Sequence, residues 1–559
     1  MTQLDPITLE IVHNGLRSIT DEAFIALMKS AYSTNIKERR DHSATIMTPK
    51  GELVAQAEGS LPIHLASMLG LMQALLAKHA LDDMRVGDIF IANDPHVAGG
   101  THLPDVNMAM PVFVDGRVIG FVCNIAHHAD IGGMAPGSMA GGMSEIYQEG
   151  VRIPVIRLFD GGRLASDVLD LLLLNVRVPE ERRGDYFAQV AACRLAERRL
   201  IELAAAHGAA TLTQSFDAII ARTERRLRDA IRTIPSGRYS FADVMDDDGL
   251  GTTDIRIEVA ITVDGERIHF DFAGSHAQVA GNINLTLIGT RAAACYCIKA
   301  LLDPDVPNNQ GVLNAIEVTA PEGSVVNAKF PAAVASRAHT CQRIADVVIG
   351  ALAPALPQAA VGAANGANTT AVFSGVDPRS GRAYVYLETL GGGFGGRATK
   401  DGKDGVQVHI TNTSNLPVEA IEMEYPLLVE AYGLVEDSGG TGTWRGGLGL
   451  RRVVRPLDHH AVFSGTGERF RTQPWGVFGG GPGASGRFMR QSANGDPERL
   501  GNKPADVTVR PDQTIVMETP GAGGYGPPAA RDPERLAEDR RSGKFSTAYL
   551  AAHYGAKPS

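Results

Sequence analysis

Cysteine is scarce in this 559-residue chain, with only five, at positions 123, 193, 295, 297 and 341. So small and odd a number excludes a disulfide framework. Cys295 and Cys297 form C-x-C without a second pair, so buried thiols are expected rather than a zinc site. Aromatic residues make up only 6% of the chain. Long apolar runs are also missing. The longest, Ile63 to Ala77, is interrupted by His64, Ser67 and Gln73 and falls short of the ~20 residues that a membrane span needs. Positive charge is in deficit, with a formal net charge of −10, which argues against nucleic-acid or anionic-membrane partners. The opening Met-Thr-Gln-Leu-Asp-Pro has neither a basic segment nor an apolar one, so no secretion signal is expected and the chain reads as cytoplasmic.

Several catalytic motifs are absent too. There is no G-x-x-x-x-G-K-[ST] phosphate loop and no G-x-S-x-G nucleophile elbow. Gly391–Gly396 satisfies G-x-G-x-x-G after a strand. The polar Arg397–Gly402 stretch that follows cannot be the packed helix a dinucleotide site requires. Asp246-Asp247-Asp248-Gly249 lacks the alternating acids and closing Glu of a calcium loop and reads as a turn.

What is abundant is glycine, 63 residues or about 11% against a usual ~7%. The glycines fall in bursts without a G-X-Y period, which suggests tight turns or loops where backbone approaches something closely. The length gives a prior of three or four units of ~150 residues. Asp5-Pro6 is a helix start, and Leu9, Val12, Leu16, Ile19 and Ala23 continue at 3–4 spacing to about Tyr32. Strands follow at 43–47 and 52–57, a second helix at 64–80, then short strands at 88–92, 106–114 and 118–125. The fold class is α+β (mixed) and multi-domain. The expected parts are an N-terminal α/β region (1–165), a helical arm (166–235), a central α+β domain (236–430), a C-terminal β-rich region (431–530) and a helical tail (531–559). In the tail, Asp532 and Ser546 are helix caps and Gly555 is a C-terminal stop.

Ligand-type side chains are densest between Asn93 and Asp130, where four of the sixteen histidines fall. His102 and Asp105 are three apart in a Gly- and Pro-containing loop, so one turn can aim both at a single ion. His127 and His128 follow a strand, where adjacent residues point opposite ways, so at most one of them faces a metal. Imidazole with carboxylate suits Zn, Mn or Fe(II). The same residues also serve as turn formers and caps, and spacing alone leaves both readings open.

The combination Asn93-Asp94-Pro95, Gly99-Gly100-Thr101-His102-Leu103-Pro104-Asp105 and Ala126-His127-His128-Ala129-Asp130-Ile131-Gly132-Gly133 resembles the B component of the hydantoinase/oxoprolinase family. The resemblance continues through Gln148-Glu149-Gly150, Asp271–Ser275, Asn282, Asn284, Arg337, Arg343, Gly391–Arg397 and Gly521–Gly526. It implies a divalent metal (Zn, Mn or Fe) held by Asp41, His102, Asp105 and His127. His128 and Asp130 would orient a ligand imidazole and, with Glu149, form the catalytic set. Glu149, Arg337 and Arg343 are either substrate or phosphate contacts or members of buried ion pairs. The resemblance also implies a larger A-type partner subunit that binds ATP/Mg, which fits the missing phosphate loop, and a hetero-oligomer. The implied activity is ATP-dependent opening of a cyclic amide (hydantoin, 5-oxoproline or a lactam). The alternatives are a subunit of an acetone or acetophenone carboxylase, and a non-catalytic scaffold subunit.

Overall fold

The structure is a computed structural model that describes residues 4–492 and 495–555. The first three residues of the expected N-terminal region and the last four of the tail lie outside the described residues. Helix and strand are mixed throughout, as the composition and patterning indicate.

The first helix, Pro6–Ser30, starts as its sequence dictates. The Asp5 carboxylate accepts the Thr8 N–H at 3.0 Å and Pro6 takes the first helical position. Its stripe Val12, Leu16, Ile19, Ala23 and Leu27 is buried. A seven-stranded sheet lies beneath it: β1 (His42–Met47), β2 (Leu53–Gln56), β3 (Ile89–Ala92), β4 (Asp105–Val114), β5 (Arg117–His127), β6 (Ile156–Asp160) and β7 (Arg163–Leu164), in the order β2-β1-β5-β4-β3-β6-β7. The β4–β5 turn is Asp115-Gly116 with both φ positive, the pairing a two-residue hairpin prefers. Both strands run further than their apolar pattern indicates. The ladder continues to the pair Asp105↔His127, so two polar residues expected in loops are strand residues.

The segment expected as an arm is helical, with helices Ser166–Leu174, Pro179–His207 and Ala209–Ile231. It does not project. The Pro179–His207 helix lies across β4, β5 and the first helix, burying Tyr186, Val190, Cys193 and Leu200 in the same core as Val106 and Val122. Its low amphipathic contrast concealed this, because Arg182, Asp185 and Gln189 are buried polar residues on the packed face.

A four-stranded sheet follows, Ile316–Thr319, Arg267–Asp271, Thr253–Asp264 and Gly237–Asp247 in spatial order, backed by the wholly buried helix Arg337–Leu352. A third sheet joins Ala383–Leu390 and Thr369–Val376 to Ala461–Thr466 and Val507–Val509. It crosses the boundary expected at 430/431, and one core holds Phe373 and Tyr386 together with Phe463 and Met517. The tail helices are capped by Asp532 and Ser546, and Gly555 is left-handed (φ 63°).

The glycine bursts are packed against one another. A Cβ on Gly393 would meet the Gly447 carbonyl at 2.3 Å, and one on Gly395 would meet the Gly362 carbonyl at 1.8 Å. Gly393 donates to Pro520 and Gly396 to Gly523, so Gly391–Gly396 is a strip of backbone stacked on backbone, with no helix after it. Asp246, expected in a turn, lies in the strand Gly237–Asp247 and accepts the amides of Phe470, Arg471 and Thr472. All five cysteines are buried and unpaired. No helix among the described residues is long and apolar enough to cross a membrane.

Burial also sets a pH limit. It depresses the imidazoles of His42 and His339 to about 3 and that of His128 to about 4. The unfolded chain takes up these protons near pH 6.5 and the folded chain does not, so stability falls as pH drops below 6.5. By pH 5 the loss is on the order of 2 kcal/mol for each imidazole. Thermal melts between pH 7 and pH 5 should show this decline, with a shallower slope in His339→Gln; a flat profile would contradict it.

Candidate metal centre

Three neighbouring strands bring the ligand-type residues together. Asp41 immediately precedes β1, His127 ends β5 and Asp105 begins β4, and these are adjacent strands. The His127 N–H donates to the Asp41 carbonyl at 2.9 Å, which fixes that end of the β1–β5 pair. The turn Thr101–Pro104 adds His102. One ligand atom each from His102, Asp105 and His127 lies within 4.8 Å of the others, and all three residues are buried.

The protonation pattern is informative. His102 Nδ1 faces the Ala335 carbonyl at 2.9 Å, so Nδ1 carries the proton and donates it. Burial, then the Arg337 charge, depress the His102 pKa, which keeps the ring neutral with its lone pair on Nε2. That lone pair lies 3.2 Å from Asp105 Oδ1. Burial opposes ionisation of Asp105, but the Arg337 guanidinium holds its carboxyl well below the usual range. Its other oxygen, Oδ2, accepts Arg337 Nη2 at 2.7 Å and Thr101 Oγ at 2.9 Å. Two buried electron pairs therefore face each other, and neither atom has a hydrogen-bond partner. A divalent cation between them removes the repulsion, so the donor set fits a metal of the Zn, Mn or Fe(II) kind.

His64 was not singled out by sequence. It starts the helix His64–Lys78, its Nδ1 is 2.8 Å from Ser43 Oγ, and its unpartnered Nε2 lies 3.7 Å from Asp105 Oδ1. The only hint was an imidazole breaking the apolar run that begins at Ile63. Asn35, from the short helix Thr34–Lys37, was missed likewise. Its amide contacts His127 Nδ1 at 3.0 Å and donates to the His127 carbonyl at 2.6 Å. A cavity of about 20 Å³ adjoins the cluster, lined by Asp41, His64 and His127 together with Thr389, Thr411 and Thr413. That volume has room for one ion or one water. A larger concavity, about 670 Å³, is elsewhere, beside the strand Ile316–Thr319, and its arginines are engaged: Arg228 with Glu224, Arg267 with Asp264 and Arg291 with the Leu313 carbonyl.

Asp41 borders the cavity, and burial raises its pKa while Arg39 and His64 oppose the rise. The three residues expected as catalytic are placed outside the cluster. His128 packs on the helix side of the sheet, donates from Nε2 to Gln189 Oε1 at 3.0 Å and lies tilted against Tyr186. The Asp130 carboxylate accepts the amides of Gly132, Gly137 and Arg177 and pairs with the Arg177 guanidinium at 2.9 Å. It shapes the glycine loop. Glu149 Oε1 accepts the amides of Val334 and Ala335 at 2.6 and 2.7 Å. Arg337 and Arg343 both belong to buried ion-pair networks, Arg337 with Asp105 and Arg343 with Asp243 and Glu468.

Fold and site define a mixed α/β protein with a buried two-imidazole, carboxylate cluster of metal-ligand type at one end of its first sheet. The chain belongs to the hydantoinase B/oxoprolinase family, whose pattern matches residues 5–528. An uncharacterized protein of Methanocaldococcus jannaschii is 37% identical over 97% of this chain and 94% of its own length. Caprolactamase subunit beta of Pseudomonas jessenii is 30% identical over 99% of this chain and 96% of its own. The 5-oxoprolinase 1 of Arabidopsis thaliana is 32% identical over 93% of this chain, but the match takes up 42% of that longer protein. The crystal structure of ATP-dependent caprolactamase from Pseudomonas jessenii superposes with a TM-score of 0.94 at 28% identity, covering 100% of this chain and 97% of that one. Acetone carboxylase superposes with a TM-score of 0.91 over 99% of this chain and 80% of its own; at 19% identity the likeness is one of fold.

Proposed function

We propose that this chain is the cytoplasmic, metal-dependent B-type subunit of an ATP-dependent cyclic-amide hydrolase, acting with an ATP-binding A-type subunit. The pair of unpartnered electron pairs on His102 Nε2 and Asp105 Oδ1 carries the reading, because only a cation or a trapped proton satisfies both. His102, Asp105 and His127, with Asp41 beside them, would hold the ion. When bound, a divalent ion lowers the pKa of water and polarises a carbonyl, which are the two effects amide hydrolysis needs. The chain's own residues exclude bulk water from the cluster, and Arg337 keeps Asp105 ionised and fixed. His64, across the cavity with a free Nε2, is placed to hydrogen-bond the reacting group.

The need for a partner is supported by two features. The chain has no phosphate loop, and in 5-oxoprolinase 1 the matching region is fused to a larger remainder. Unstrained five- and six-membered amides resist hydrolysis, which gives ATP its role on the partner. The small cavity implies that the site opens during the cycle.

The sequence resemblance leaves one second reading open, ketone carboxylation. Reconstituting the chain with its A-type partner and ATP, on hydantoin, 5-oxoproline, caprolactam and acetophenone, with and without bicarbonate, separates the two. Ring opening without bicarbonate is expected; turnover of the ketone only with bicarbonate would overturn the hydrolase reading. Within this assay His64→Asn should retain metal and lower kcat by ~100-fold or more, in the range that positioned proton-handling groups contribute. Unchanged kcat would remove His64 from the chemistry.

A further inference from the structure

The segment Phe330–Arg337 meets the proposed metal centre at several points. The Ala332 carbonyl accepts from His96 Nε2 at 3.0 Å, the Ala335 carbonyl accepts from His102 Nδ1 at 2.9 Å, and Arg337 grips Asp105 and Thr101. Residues 330–336 have irregular backbone, apart from one isolated bridge at Ala332, so their carbonyls are not aimed by a helix or a sheet ladder. Its bracing comes from 145–149. Ile146 N–H donates to the Pro331 carbonyl and Glu145 bridges to Ala332. The Glu149 carboxylate receives two consecutive amides, Val334 and Ala335, on the single oxygen Oε1. The peptide plane beyond Ala335 N–H is the one whose carbonyl fixes His102. Glu149 is wholly buried, its Oε2 has no partner, and it makes no contact with the ligand cluster.

The geometry points to Glu149 as a positioning residue that acts through the Ala335 peptide, setting the tautomer and direction of the His102 imidazole. A buried carboxyl on two adjacent amides is an expensive brace, since burial pushes its pKa up to about 8 against those two hydrogen bonds and its Oε2 is left without a partner. A hydrophobic residue would fill the same volume. What only an acceptor at this point supplies is a fixed orientation for the two peptide groups that lead into Ala335, and the carbonyl of the next peptide, that of Ala335, is the hydrogen-bond partner of a ligand ring. Partners of this kind typically change metal affinity by ~10- to 100-fold when removed.

The inference rests on the metal reading above, and its test keeps the two apart. Wild type, Glu149→Gln, Glu149→Asp and Glu149→Leu are prepared metal-free by chelation. Each is titrated with Mn2+ and, separately, loaded with Co2+ for its visible spectrum. Glu149→Gln keeps an acceptor oxygen and should bind within ~3-fold of wild type with the same Co2+ bands. Glu149→Leu should bind ~10- to 100-fold more weakly with shifted Co2+ bands, and Glu149→Asp, one methylene short, should fall between them. A loss of melting temperature in Glu149→Leu with affinity and Co2+ spectrum unchanged would make Glu149 a brace of the fold only and overturn the inference. Equal losses in the Gln and Leu variants would overturn it too, because the acceptor would then not be what matters. If wild type binds neither ion, the metal reading itself fails. The inference then stands or falls on crystal structures of the metal-free Gln and Leu variants: the His102 Nδ1 to Ala335 carbonyl contact should persist in Gln and be lost in Leu. If Glu149→Leu does not fold, Glu149→Asp carries the comparison.

Discussion

Replacing His102 with alanine should remove the metal and abolish turnover of the reconstituted pair while leaving the subunit complex intact. His102 supplies one of three converging ligand atoms, and its Nε2 is the atom whose lone pair faces Asp105 Oδ1 at 3.2 Å. Removing it leaves a two-residue set and an ionised carboxylate with one oxygen facing a void. The expected loss in metal affinity is more than ~100-fold, beyond the upper end of what losing an outer partner costs. Elemental analysis after metal-supplemented expression should find close to one ion per wild-type chain and a small fraction of that in the variant. Co-purification with the A-type partner should be unchanged, because His102 is fully buried and cannot touch another chain. The scaffold alternative makes the opposite forecast: turnover survives and the complex weakens. Full turnover by a metal-free His102→Ala protein would end the metal reading.

The sequence made His102, Asp105 and His127 legible because they are chemically distinctive and sit close together in the chain. The strand pairing that unites them was less legible. The apolar alternation of β4 and β5 stops at Val106 and Ile125, and the ladder carries on through polar residues that alternation cannot register. His128 and Asp130 share a motif with His127 but not a location, since a strand end sends neighbours to opposite faces. Asp130, like Glu149, proved to hold backbone amides, a role that leaves no trace in residue type. His64, Asn35 and the threonines at 389, 411 and 413 come from segments far apart in sequence. Nothing local distinguishes them from a core histidine or ordinary polar residues. The glycine excess is plain in the composition, but the backbone-on-backbone packing behind it, as at Gly393 against Gly447 and Gly395 against Gly362, joins segments that residue type alone does not connect.

Arg337→Met should have the largest effect on the metal-free protein and a much smaller one on the metal-loaded protein. Arg337 is nearly buried, donates to Asp105 Oδ2 at 2.7 Å, and lies against a carboxylate with no solvent access. Removing one member of a buried pair costs about 3–5 kcal/mol, because the remaining charge is left without compensation. In the metal-free state the His102 lone pair adds to that repulsion, so denaturant melts with chelator should show the full loss. A bound divalent ion supplies the missing positive charge on the Oδ1 side, so saturating metal should recover most of the stability. The double variant Arg337→Met/Asp105→Asn should be more stable than Arg337→Met in chelator, since the orphaned charge has been removed, but should gain little from metal. Equal destabilisation of Arg337→Met with and without metal would mean that Arg337 matters for packing near Thr101, not for the charge on Asp105. The contrast between the two states is therefore the quantity that links the ion pair to the site.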